Sequence, residues 1–138
     1  MLVLDCSVAL SWYFEDEQSP FVMQIMDRVI EDGAVVPAIW RYEIANGFQS
    51  AIRRRRIDAL YRDESLKSLI SLDIEIDAES LDQVWTRVAF LAGQYRLSVY
   101  DAAYLELAQR RALPLATLDE ALAQAAREAG VVVLLHNA

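Results

Sequence analysis

Four acidic residues, Asp5, Glu43, Asp101 and Asp119, hold the chemistry this sequence offers. Asp5 closes a three-residue apolar run, Leu2 to Leu4, and is followed by Cys6 and Ser7. Such a run fits a buried parallel strand, and the polar residues after it can open a helix. The carboxyl end of that strand is the edge where open α/β sheets bind ligands. Asp119 follows a short strand segment ending at Thr117, and Asp101 begins the helix that feeds this segment. Glu43 lies near the start of the helix after the second strand, with Asn46 one turn on. If the first and fourth strands are neighbours, all four carboxylates project from one crevice. With no Lys or His among them they repel unless a cation sits between them, and hard oxygen ligands select Mg²⁺ or Mn²⁺. Phosphodiester hydrolysis is the natural use: a divalent metal activates and orients water and neutralises the leaving oxygen, while a carboxylate not tied to metal accepts a proton.

Taken singly, each residue has an ordinary explanation. Asp101 three residues after Ser98 resembles a capping box, and Asp119 suits the positive end of a helix dipole. Glu43 and Asn46 read as solvated helix residues, and Ser7 and Thr117 as cap candidates. Cys6 and His136 read as incidental, and Trp12, Trp40 and Trp85 as core. Independent capping does not predict four acids at one sheet edge, so their joint placement carries the functional reading.

The elements that must position them follow from periodicity. Val8 to Phe14 reads as a short buried helix, and Ser19 with Pro20 starts an amphipathic helix through Val22, Ile25, Met26, Val29 and Ile30 that Gly33 ends. Ala34 to Val36 is the second strand, completing a βαβ unit and so a parallel sheet. Trp40, Ile44, Phe48 and Ala51 mark a helix to about Arg54. Ile57, Leu60, Tyr61, Leu69 and Ile70 mark the inward face of another to Ser71, giving a helical hairpin. Residues 73–77 alternate as an edge strand. The strongest helical row is Leu81, Val84, Trp85, Val88, Leu91, Ala92 and Tyr95. A helix opening at Ser98 buries Ala103, Tyr104, Leu107 and Ala108. The strand LAT leads into a helix through Ala121, Leu122, Ala125 and Ala126, and Gly130 releases the chain into a final strand, Val131 to Leu135. The expectation is one domain over residues 1–138, a three-layer α/β/α sandwich around a roughly five-stranded parallel sheet.

Bulk composition narrows the function. The single Cys6 and single His136 rule out an internal disulfide and any Cys/His zinc site, so a metal must use carboxylates. A net charge of −8 argues against coating nucleic acid by bulk electrostatics, yet Arg53, Arg54, Arg55 and Arg56 form one basic spot on an otherwise acidic surface. No apolar run is long enough to cross a bilayer and the amino terminus lacks the pattern of a secretory signal, so a cytoplasmic location is expected, with no membrane partner.

The segments LDCSVAL, YEIANGF, SVYDAAYLELA and LATLDEALAQAA occur in an order that resembles the PIN domain, and the chain's small size resembles the VapC-type ribonuclease toxins of toxin-antitoxin pairs. The resemblance spans essentially the whole chain. It implies a Mg²⁺- or Mn²⁺-dependent endoribonuclease, commonly a homodimer, neutralised by a cognate VapB-like antitoxin. Residue by residue it implies Asp5, Glu43, Asp101 and Asp119 as the acidic quartet, with Asp5, Asp101 and Asp119 on metal, Ser7 and Thr117 as supporting hydroxyls and Asn46 as a supporting amide. Leu118, between Thr117 and Asp119, is bulkier than the small residue the pattern favours. The apolar helices from Val8 to Phe14 and Ile39 to Ile70 offer a groove for an antitoxin helix that would point a basic side chain at the acids.

Other classes fit less well. A haloacid-dehalogenase-like site needs an Asp where Ser7 stands, a receiver-like site needs a late Lys where the chain has only Lys67, and no Gly-rich phosphate loop is present. The remaining alternative is a PIN-like module that has weakened or lost catalysis and acts by holding RNA or protein.

Overall fold

The computed structural model describes residues 1–134. Five parallel strands, β1 (Leu2–Leu4), β2 (Ala34–Val36), β3 (Ile74–Ile76), β4 (Leu115–Ala116) and β5 (Val133–Leu134), lie in the order β3-β2-β1-β4-β5. The chain starts at the centre, winds outward to β3, then returns to the other side of β1. The order therefore reverses between β1 and β4, which is the switch point where crossovers leave a crevice open. In register, Leu2 faces Ala34, and Leu4 faces Ala116. Every residue of β1, β2 and β4 is almost fully buried. Because successive strand side chains point to opposite faces, both faces of the sheet must be covered by helices. The five parallel strands and the covered faces are those of the expected α/β fold, and the order puts the first and fourth strands side by side.

The helices are α1 (Cys6–Ser11), α2 (Pro20–Asp32), α3 (Trp40–Arg53), α4 (Ala59–Ser71), α5 (Ala89–Tyr95), α6 (Val99–Arg111) and α7 (Glu120–Glu128). Helix α2 is set by local chemistry. The Ser19 side chain accepts the Val22 amide, Pro20 occupies the first turn, and Gly33 stops the helix at a φ of 79° that other residues avoid. Helix α3 packs closely against α1 because Gly47 has no side chain; a Cβ there would lie 2.5 Å from Leu10 Cδ1. This close approach draws the start of α3 toward the end of β1. Helix α6 packs on β1 and β4, so its amino terminus also reaches the switch point.

Several expected faces are corrected. Residues 81–95 do not form one regular helix: a 3₁₀ turn over Leu81–Gln83 and a π turn over Val84–Val88 precede α5. A π turn inserts an extra residue, displacing the earlier side chains by about 100° around the axis. Val88 and Leu91 accordingly stay in the core, whereas Leu81 is 71% and Trp85 94% exposed, so Trp85 is not a core residue. On α4 only one narrow stripe is buried, around Ser65 and Leu69, leaving Leu60 and Ile70 facing solvent. Helix α1 ends at Ser11, before Phe14, although Phe14 is buried in an extended segment. In α7 the inward residues are Leu122, Ala123, Ala125 and Ala126, with Ala121 outward, and Ala103 of α6 is only half-buried. Leu135 and His136 lie outside the described residues.

A charged cluster that periodicity does not reveal ties α6 to the end of β3. Arg110 bonds both Glu106, 2.8 Å away, and Asp77, and both acids are almost wholly buried. Breaking such a buried pair would strand an uncompensated charge, so the cluster fixes where α6 lies across the sheet.

Candidate functional site

The register of the two central strands builds the first contact. Beyond Leu4 and Ala116 the next residues are Asp5 and Thr117, and the Asp5 amide continues the ladder by donating to the Ala116 carbonyl at 3.0 Å. Asp5 stands at the N-cap position of α1, yet its side chain makes no capping bond. Instead Asp5 Oδ2 accepts two hydroxyls, Ser7 Oγ at 2.6 Å and Thr117 Oγ1 at 2.7 Å. Each hydroxyl is held from behind. The Asp119 amide donates to Thr117 Oγ1 at 3.0 Å, and the Leu118 amide donates to Ser7 Oγ at 3.1 Å. The bulky Leu118 therefore leaves the carboxylate undisturbed, because only its backbone takes part and its side chain is partly exposed.

The other candidate acids arrive from helix amino termini. Asp119 caps α7, with Oδ1 accepting the Leu122 amide at 3.0 Å. Ser98 caps α6 by accepting the Asp101 amide at 3.0 Å, so Asp101 sits in the first turn of that helix. Glu43, in the first turn of α3, accepts the Tyr104 hydroxyl at 2.6 Å through Oε1. The capping explanations for Asp119 and for the Ser98 segment hold, and they serve to aim these carboxylates at the switch point. Asn46 is exposed one turn beyond Glu43.

Electrostatics records the convergence. Burial raises the Asp5 pKa, and Asp119 raises it further against the hydrogen bonds from Ser7, Thr117 and the Cys6 amide. Glu43 is raised by burial and by Asp5 and Asp101, with Tyr104 and Cys6 opposing. Asp101 is raised by burial, Asp119 and Asp5, with Ser98 opposing. Among the described residues none of the four acids is ion-paired with Lys or Arg. Nor are three acidic, cysteine or histidine side chains gathered tightly enough to make a finished metal cage. The donor set nonetheless fits a hard divalent cation: all-oxygen ligands, a mutual charge penalty and no protein cation to relieve it.

Two residues escaped the sequence reading. Tyr104 reads from periodicity only as core, and it is fully buried, but its hydroxyl holds Glu43. Cys6 lies against Asp5 and Glu43, and burial followed by those two charges pushes its thiol far up, making it inert as a nucleophile. The spacing of Tyr104 from Asp101, three residues on α6, is the signal that could have flagged it. The arginine run lies apart from the acids. Arg53 is ten residues beyond Glu43 on α3, about 15 Å along the axis. Arg56 is committed to Asp16 and Glu17 and lies over the Phe14 ring, while Arg53, Arg54 and Arg55 are exposed.

The sequence matches the PIN domain family over residues 2–128, and the chain belongs to that family. PIN domains are typically nucleases that bind divalent metals. The fold is similar to the crystal structure of PAE2754 from Pyrobaculum aerophilum, at 20% identity and a TM-score of 0.70, covering 96% of this chain and 88% of that one. It is also similar to FitAcB from Neisseria gonorrhoeae, at 18% identity and a TM-score of 0.67, covering 98% of this chain and 97% of that one. At these identities the likeness is one of fold. No curated protein matches the sequence significantly. No helix among the described residues is long and apolar enough to cross a membrane.

Proposed function

We propose that the protein is a Mg²⁺- or Mn²⁺-dependent endoribonuclease and acts as the toxin of a type II toxin-antitoxin pair. The observation that carries the nuclease reading is Asp5 at the switch point, its charge raised in cost by Asp119 and shared with Asp101 and Glu43, with no arginine or lysine among the described residues ion-paired to any of the four. Asp5, Asp101 and Asp119 would hold the metal. A bound ion would supply Lewis-acid stabilisation of the phosphodiester and an activated water for attack. The protein's own groups do the rest. Ser7 and Thr117 fix the rotamer of Asp5, and Glu43, whose Oε2 is not taken by Tyr104, accepts a proton from the attacking side.

Cleavage of RNA measured across a magnesium titration tests this. The parent protein is expected to cleave only with metal, and Asp5→Asn and Asp101→Asn to abolish cleavage. Metal-dependent cleavage that survives both substitutions would place the activity elsewhere. The looseness of the acid cluster is the observation that favours the binding-module alternative, and a parent that binds RNA but never cleaves would establish it.

The toxin role rests on the VapC-like resemblance. Exposed apolar residues of α4, Leu60, Tyr61 and Ile70, are consistent with a VapB-like antitoxin helix seated there. Co-purification with a co-expressed partner, and loss of inhibition when the partner's basic residues are removed, tests that role. Homodimer formation is tested by mass in solution.

A further inference from the structure

We infer that Tyr42 and Tyr100 form the walls of a nucleobase slot beside the acids, so that single-stranded RNA is gripped by stacking as well as by charge. The inference rests on the nuclease reading and extends it. Tyr42 immediately precedes Glu43 on α3, and Tyr100 immediately precedes Asp101 on α6. The two residues are 78% and 59% exposed, and both line one groove of about 390 Å³. The rest of its lining is mostly apolar and includes Ile39, Leu81, Val84 and Val88. The hydroxyl of Ser80, also in the lining, is already committed: it accepts the Ala38 amide and donates to the Asp77 carbonyl, both at 3.0 Å.

The occupant follows from these surroundings. None of the four acids lines the groove. Each tyrosine is one residue from a candidate acid, with Cα atoms about 3.8 Å apart and side chains about 100° apart around the helix. A nucleotide whose phosphate lies against the carboxylates therefore reaches the groove by turning its base across the helix starts. Aromatic rings stack on unpaired bases whatever the base, and a duplex does not present its bases this way. The need is also specific to this chain. With a net charge of −8, ionic affinity for RNA is small, and stacking supplies affinity that does not depend on counterion release. Apart from the tyrosine hydroxyls the groove offers no uncommitted polar side chain, so it grips bases with little preference among them.

The experiment measures binding of a 2′-O-methyl oligouridine and of an abasic oligomer of the same length, each shown by gel electrophoresis to stay intact through the measurement. Wild type is compared with Tyr42→Ala, Tyr100→Ala and the two Phe variants in magnesium at low and high salt, with circular dichroism and sedimentation on each. Each Ala variant is expected to weaken oligouridine binding by about tenfold at both salt concentrations, the Phe variants to retain it, and the abasic oligomer to bind wild type as weakly as the Ala variants bind oligouridine. Ala variants that remain folded and bind normally, or an abasic oligomer that binds as tightly, would overturn the slot. So would a wild-type dimer that Tyr42→Ala converts to monomer with RNA affinity unchanged, since a second copy would then cover this face. A wild type that shows the stacking pattern but never cleaves ordinary RNA defeats the nuclease reading and leaves the slot intact.

Discussion

Thr117 Oγ1 donates to Asp5 Oδ2 at 2.7 Å, joining residues 112 positions apart, and Thr117 Oγ1 itself accepts the Asp119 amide at 3.0 Å. One side chain thus links the central candidate acid to the turn that carries another. Thr117→Val keeps the shape but removes both bonds, leaving a part-buried amide and a buried carboxylate oxygen each short of a partner. The expected cost is about 1–3 kcal/mol, read by urea denaturation, together with loss of most metal-dependent cleavage. Thr117→Ser should restore both.

The charge penalty at the site predicts how the metal-free protein responds to pH. Asp5, Glu43 and Asp101 have folded pKa values above their ordinary values of 3.8, 4.5 and 3.8. The folded state therefore holds protons that the unfolded chain has released. Stability from these groups is complete below the ordinary values and is lost as pH rises through the raised ones. At neutral pH, Asp101→Asn should raise the melting temperature of the metal-free protein by about 2 °C and should reduce the further rise that magnesium produces in the parent. An unchanged magnesium response in the variant would remove Asp101 from the ligand set.

Tyr104 separates a positioning role from a packing role. Its hydrogen bond lowers the Glu43 pKa, so Tyr104→Phe should let Glu43 rise further and move the acid limb of the cleavage profile to higher pH. Phenylalanine fills the same space, so the stability loss should stay at about 1 kcal/mol. A profile that does not move would leave Tyr104 as core alone.

The arginine spot makes a salt-dependence prediction. Replacing Arg53, Arg54 and Arg55 by Gln should weaken binding of single-stranded RNA and flatten the log-affinity against log-salt slope by about 0.7 for each phosphate left without its cation. Arg56→Gln should leave the slope unchanged, because Asp16 and Glu17 already neutralise that residue. If all four substitutions leave binding and slope unaltered, the spot has no role in RNA.

Much was legible in the sequence because it is locally encoded. The stop at Gly33, the cap at Ser19, the buried runs of β1 and β2 and the winding of a parallel sheet each follow from residues close in the chain. The candidate acids were visible for the same reason, as polar residues just after apolar runs or at helix starts. The row from Leu81 to Tyr95 misled because a hydrophobic repeat cannot announce a π turn, which shifts its phase without changing its composition.

By itself, then, the sequence determined the order of strands and helices and the types of group delivered to their ends. Only the tertiary structure decided that β1 lies beside β4, bringing Thr117 and Asp119 to Asp5, and that Tyr104 reaches Glu43 from another helix. Periodicity acts over a few residues, where side chains share a strand or a helical turn. Pairings across 112 or 61 residues depend on how whole layers pack, and the Arg110 cluster and the close approach at Gly47 are decided in the same way.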